Sequence, residues 1–192
     1  MSEALNMTRW DFLDAITDYT RAIFRDVKLP KNIDPEEIPD MDPDALFQED
    51  GEEMTGLTVY KMRLPDSTSN LTAAPYCLHQ IVTGTDGYDD TGAPKSSVLL
   101  RSVFCIYHPF TEDLTMEYDA GAERVVEVAE RFRIYVLRDG MIANRFVLDI
   151  SENRELETLY YPDDLRPYYI AEVASNWIIP PVKREFRQYL KV

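Results

Sequence analysis

Basic residues are scarce in this chain of 192 residues, where 20 Lys and Arg stand against 35 Asp and Glu for a formal net charge of −15. That balance argues against a nucleic-acid binder, because affinity for DNA comes largely from Lys and Arg neutralising phosphates. It argues equally against an anionic membrane surface as partner. It does not exclude a protein that surrounds DNA without gripping it. Long apolar runs are missing too: none approaches the roughly 18 residues that span a bilayer. The start, Met-Ser-Glu-Ala-Leu-Asn, has no basic segment followed by an apolar one, so no signal peptide is expected. Cys77 and Cys105 are the only cysteines, too few for a disulfide framework, and the expectation is a cytosolic protein with reduced thiols.

Apolar residues are not lacking. They make up 45 % of the chain, aromatics 11 %, with 12 Tyr and 8 Phe, which fits a globular protein. At this length one domain is expected over residues 1–192, able to bury roughly 70 % of its unfolded surface. Thr8, with Asp11 three residues on, reads as a helix cap. Phe12, Leu13, Ile16, Tyr19, Ile23, Phe24 and Val27 then form one apolar stripe, a helix of about five turns that Leu29-Pro30 ends. Residues 31–56 change character: Pro35, Pro39 and Pro43 are interleaved with ten acidic residues between Asp34 and Glu53. Such a segment cannot bury enough apolar surface to offset its ordering entropy, and reads as a mobile acidic loop with at most one helical turn near Leu46.

From Leu57 the period becomes two. Strands are predicted at 57–64, 76–82 and 98–107, and a flexible gap at about 83–95 reads as a protruding hairpin arm. A second helix follows, capped by Asp119, with Val125, Val126, Ala129, Phe132, Arg133 and Val136 on its buried face and Asp139-Gly140 as its stop. Three more strands are predicted at 145–150, 155–160 and 168–178. There is no internal repeat. Strands that come in runs instead of alternating with helices predict an α+β domain. Its sheet is expected to be mostly antiparallel, with about five to six strands flanked by two main helices.

Little in the chain suggests catalysis. Cys77 and His79 lie two apart on one strand, and Cys105 and His108 on another, which is a valid zinc ligand set. The spacings C-x-H and C-x-x-H match no common zinc ribbon, and Cys105 and His108 have opposite strand parity. Free cysteine usually behaves as a small buried hydrophobe, so no metal or cofactor is expected. G-x-S-x-G, G-x-x-x-x-G-K-[S/T], G-x-G-x-x-G and H-E-x-x-H are all missing. Asp86-Gly87-Tyr88-Asp89-Asp90 lacks the residue order of a calcium loop. The concentration of Tyr, Trp and Pro near the end is more informative. Alternation along 168–178 puts Tyr169, Ala171, Val173, Ser175 and Trp177 on one face. Part of this aromatic surface is a candidate interface, since Tyr and Trp are enriched at such places. The candidate contact residues are Tyr88, Tyr168, Tyr169, Trp177, Pro180 and Pro181.

The order and spacing of these segments resemble a known family. An N-terminal helix is followed by Val59-Tyr60-Lys61-Met62-Arg63-Leu64-Pro65, then Ala74-Pro75-Tyr76 opening a strand. A flexible gap, a long strand and the amphipathic stretch 120–138 come next. The chain closes with Arg166-Pro167-Tyr168-Tyr169-Ile170-Ala171-Glu172-Val173 leading to Trp177-Ile178-Ile179-Pro180-Pro181. Over most of residues 8–184 the chain is similar to the tail-terminator (tail-completion) proteins of long-tailed phages and prophages. The resemblance implies a non-enzymatic α+β subunit that closes into a ring, usually a hexamer, on the head-proximal end of the tail tube. There it would stop tube polymerisation and present a face to the head–tail connector protein, with DNA passing through unbound. It would act in the bacterial host cytoplasm during assembly and in the virion tail or neck. The acidic stretch 31–56 departs from the family and looks like an insertion. Rival readings are a head–tail connector component (stopper or adaptor), a small zinc-binding or nucleotide-binding enzyme, and an acidic mimic of DNA.

Overall fold

Two amphipathic helices, α1 (Arg9–Ile23) and α2 (Ala120–Asp139), lie on one face of a seven-stranded sheet. The computed structural model describes residues 9–32, 54–65, 74–108, 120–151, 155–161 and 167–181. The predicted caps Thr8 and Asp119 fall outside them. Helix α1 buries Phe12, Leu13, Ile16, Thr17, Thr20 and Ile23, the stripe that its three- and four-residue spacing predicts. It ends at Ile23, a turn earlier than the stripe suggests, because the Val27 amide bonds the Phe24 carbonyl in a tighter turn. Phe24 and Val27 still reach the core from that turn. Leu29–Pro30 (β1) then pairs with Met54–Thr55 (β2), so one short ladder fastens both ends of the acidic segment. Its residues 33–53 lie outside the described residues.

The main sheet contains β3 (Thr58–Lys61), β4 (Tyr76–Tyr88), β5 (Pro94–Tyr107), β6 (Met141–Ile142), β7 (Phe146–Leu148), β8 (Glu157–Tyr161) and β9 (Tyr168–Ile179). Its order is β3-β4-β5-β9-β7-β6, with β8 also on β9. Strand β5 pairs with β9 from Ser96 to Tyr107, so β7 and β8 divide the other edge of β9 between them. The α+β expectation holds broadly, with two refinements. The sheet has seven strands instead of five or six, since two-residue β6 is too short to show a period. It is also mixed, because β3 and β4 run parallel, joined by residues 62–75.

Strands β4, β5 and β9 are buried on both faces at their centre. Cys77, Val98, Leu100, Phe104, Ile106, Ala171, Val173 and Trp177 face the helices and form the main core with them. Tyr76, Leu78 and Cys105 face the other way, with Tyr60, Val103, Tyr107, Tyr168 and Ile170 around them. Double-sided burial explains the near-continuous apolar run Val98–Tyr107. On α2, Val125, Val128, Ala129, Phe132 and Val136 are buried. Val126, expected on that face, is 40 % exposed, and Arg133 pairs with Glu130 instead of lying along the core. Both sit on the flank of the stripe that the other five define. Gly140, at φ 60°, ends α2 as its position predicts.

The stretch 83–95 is a hydrogen-bonded hairpin end, not a gap between strands. The β4–β5 ladder runs on from Thr83 opposite Leu99 to Tyr88 opposite Pro94, after a bulge at Val82. The Asp89 carboxylate closes the turn by accepting from the Thr91 and Ala93 amides and the Thr91 hydroxyl.

Candidate assembly interface

The six aromatic and proline positions do not share one surface. Trp177 is a core residue: fully buried, it sits 5.5 Å from Phe12 and donates its indole N–H to Ser175 Oγ at 2.9 Å. Its place as a surface contact is therefore corrected, because alternation along β9 turns it toward the helices. Tyr169 shares that face, and its ring lies against the α-carbon of Gly121 where a side chain would stand. Tyr168, on the other face, packs against Tyr107 at 5.7 Å, and its hydroxyl reaches Asn32 Oδ1. Tyr88 is 59 % exposed at the hairpin end, Pro180 is half-buried and Pro181 exposed.

The cysteines and histidines do not converge either. Cys77 and His79 share the helix face, as their parity predicts, whereas Cys105 lies on the opposite face. No cluster of three or more metal-ligating side chains occurs among the described residues. His79 is fully buried between elements: Nε2 is 2.9 Å from Thr20 Oγ1 on α1, Nδ1 is 2.9 Å from Ser102 Oγ on β5, and the ring faces Phe132 on α2. Thr20 Oγ1 gives its proton to the Ile16 carbonyl at 2.8 Å. It must therefore accept from His79 Nε2–H, which leaves Nδ1 to accept from Ser102. Burial holds this imidazole neutral, with its pKa lowered from 6.5 to about 3. Burial likewise pushes the Cys105 thiol up to about 11 and raises that of Cys77. Neither thiol has the lowered pKa of a nucleophile.

A groove of about 450 Å³ between the end of α1 and α2 is lined by Phe24, Val27, Val128, Ile134 and Tyr135. Its charged wall is already paired: Arg124 with Glu127, Arg131 with Asp26, Glu130 with Arg133.

Among the described residues the sheet ends on one side at β3 and the outer half of β4, and on the other at β6 and β8. Strand β3 covers β4 only from Tyr76 to His79, then turns away at Met62, a non-glycine residue at φ 63°. The β3–β4 ladder stops at His79, and residues 82–88 of β4 beyond it are all exposed. Val82 is 53 % exposed, and nearby Trp10 is 52 % exposed under the Lys61 ammonium. Lys61 is paired with Asp14, and Arg9 lies against Gly84 and holds Asp86 at 2.6 Å. Across the sheet, β8 pairs with β9, and with no other strand among the described residues. Its Leu159, Tyr160 and Tyr161 are 41, 40 and 39 % exposed in succession. Their neighbours fix the strand: Tyr160 donates to Glu130 on α2, and Tyr161 to Glu172, which also holds Arg101 at 2.6 Å. The strand predicted at 155–160 corresponds to β8, but its Leu159, Tyr160 and Tyr161 are not among the candidate contact residues, although three consecutive large apolar residues in a short strand signal an exposed one.

No protein-family profile matches the chain, and no curated protein sequence does.

Proposed function

We propose that this chain is a structural assembly subunit of a phage tail, similar to the tail terminators, whose copies join into a ring on the head-proximal end of the tail tube. One observation carries the self-assembly: among the described residues a single sheet ends in exposed strand on each of two sides, the 82–88 end of β4 and β8. Two different patches on one molecule make a heterologous contact, which builds closed rings when its rotation closes. The resemblance in order and spacing supplies the place of that ring. It also supplies its six-fold size, its neighbours (tail-tube protein and head–tail connector protein) and the passage of DNA without specific contact. The negative charge suits such a passage, since a bore that held phosphates would hinder sliding.

The test is the solution mass by light scattering, with and without the cognate tail-tube protein. A ring alone, or one that forms on tube ends and halts their growth, is the expected result. A monomer that leaves tube growth unchanged would overturn the reading, and binding to the portal side alone would favour a connector.

A further inference from the structure

We infer that residues 182–192 dock on the face of the sheet opposite the helices, in a groove beside β8, with their lysines and arginines set against Glu155 and Glu157. The inference does not depend on the ring reading.

Helices α1 and α2 cover one face of the sheet, and among the described residues no helix lies on the other. A groove of about 740 Å³ on that other face is lined by Leu99, Ala174, Asn176 and Glu157, with Glu155 and Leu156 beside them. Register puts the first four on one side of the sheet, since Leu99 is opposite Asn176 and Glu157 opposite Ala174. The groove opens where the edge of β9 changes partner, between β7, paired as far as Trp177, and β8, paired from Ala174. Glu155 and Glu157 are exposed, and neither has an ion pair among the described residues. The cation nearest in register, Arg101 opposite Ala174, is taken: it holds Glu172 at 2.6 Å. The groove therefore offers two free carboxylates beside apolar surface.

The strand that floors this groove leads directly to a complementary segment. Strand β9 ends at Ile179, and Pro180 and Pro181 have no amide hydrogen with which to extend its ladder. Residues 182–192, Val-Lys-Arg-Glu-Phe-Arg-Gln-Tyr-Leu-Lys-Val, then bring four cations against one carboxylate into a chain of net charge −15. Helical spacing would put Val182, Phe186, Tyr189 and Leu190 on one side and Lys183, Arg187 and Lys191 on another. As a helix these eleven residues would measure about 16 Å. The groove begins at Asn176, five residues back from Pro181, or roughly 17 Å along a strand. A reversal at the prolines thus brings Arg187 and Lys191 level with the two carboxylates. The apolar side would cover Ile178 and Val147, which are paired on the way to Leu99 and Ala174. Single exposed ion pairs contribute little, so apolar burial supplies most of the contact. Covalent attachment holds the segment at high effective concentration, which favours the groove of its own copy over a neighbour's.

Amide hydrogen exchange of the full chain, read by mass spectrometry, tests this. Exchange across 182–192 should be several-fold slower in the wild type than in Glu155→Lys/Glu157→Lys, with the unfolding transition of that variant in place. Adding Lys183→Glu, Arg187→Glu and Lys191→Glu to the same variant should restore the protection. Fast exchange in the wild type would overturn the docking, and protection that ignores the reversal of Glu155 and Glu157 would overturn this groove as its site. Protection that vanishes on dilution, in step with the light-scattering mass, would overturn the fold-back in favour of a neighbouring copy. A monomer with slow exchange across 182–192 keeps the contact whatever becomes of the ring.

Discussion

At the scale of single residues, His79 shows how burial turns a candidate ligand into a fastening. Its two nitrogens meet two hydroxyls from different elements, Thr20 on α1 and Ser102 on β5, and the helix is thereby hydrogen-bonded to the sheet inside the core. A protonated ring would present two donors, and Ser102 would have to turn its proton away in a site without a carboxylate partner. The folded-state pKa of about 3 lies below the ordinary 6.5, so the sign follows directly. The unfolded chain binds the proton first, and this contribution to stability is present above about pH 6.5 and is lost as pH falls toward 3. The slope approaches about 1.4 kcal/mol per pH unit within that window. Urea unfolding at pH 7 and pH 5 should show the wild type losing more stability than His79→Leu, whose slope over the same window flattens. The sequence made the shared face of Cys77 and His79 legible through strand parity, and the same parity puts Trp177 among the helix-facing residues. Its burial was illegible because alternation tells which residues share a face, not which face is covered.

At the scale of elements, the turn-forming residues of 83–95 read as a flexible hairpin arm, and 83–88 is a regular strand of that hairpin. Gly84, Asp86 and Gly87 are poor strand formers. They are held there by long-range pairing that local propensity does not reveal: β5 on one side and, beyond it, β9 over Ser96–Leu99. Side chains add to this. Thr85 bonds Ser97 at 2.7 Å, Ser96 donates to Asp86, and Arg9 of α1 closes over Gly84 onto the same carboxylate. The Ser96 hydroxyl and the Arg9 guanidinium together hold the Asp86 carboxyl below its usual range. The Arg9–Asp86 pair is largely exposed and contributes on the order of 0–1 kcal/mol to the whole fold. Its local effect is larger, because it is α1's hold on the hairpin end. Arg9→Ala should therefore speed amide hydrogen exchange across 83–88 while moving the global unfolding midpoint little. Unchanged exchange there would mean that the ladder alone holds the arm. The helices, by contrast, were legible almost whole, because each shows one apolar stripe and packs on one face.

At the scale of the whole molecule, charge and shape pull in opposite directions. Ten acidic residues and no basic ones lie between Asp34 and Glu53, so much of the net −15 enters and leaves the fold at the β1–β2 ladder. Copies joined in the proposed ring would carry that charge with them, and the resulting repulsion acts over roughly the Debye length, about 8–10 Å near physiological salt. Under the ring reading, a contact that buried exposed apolar residues such as Leu159, Tyr160 and Tyr161 would not be weakened by salt. The two influences thus differ in salt response, and the larger one decides the sign. If repulsion between acidic subunits limits assembly, raising sodium chloride from low to moderate concentration should shift the light-scattering mass upward at fixed protein concentration. Removing residues 34–53 and bridging the β1–β2 ladder with a short Gly-Ser linker should produce the same upward shift at low salt and leave little further response. A mass that falls as salt rises would instead make ion pairs between copies the dominant attraction.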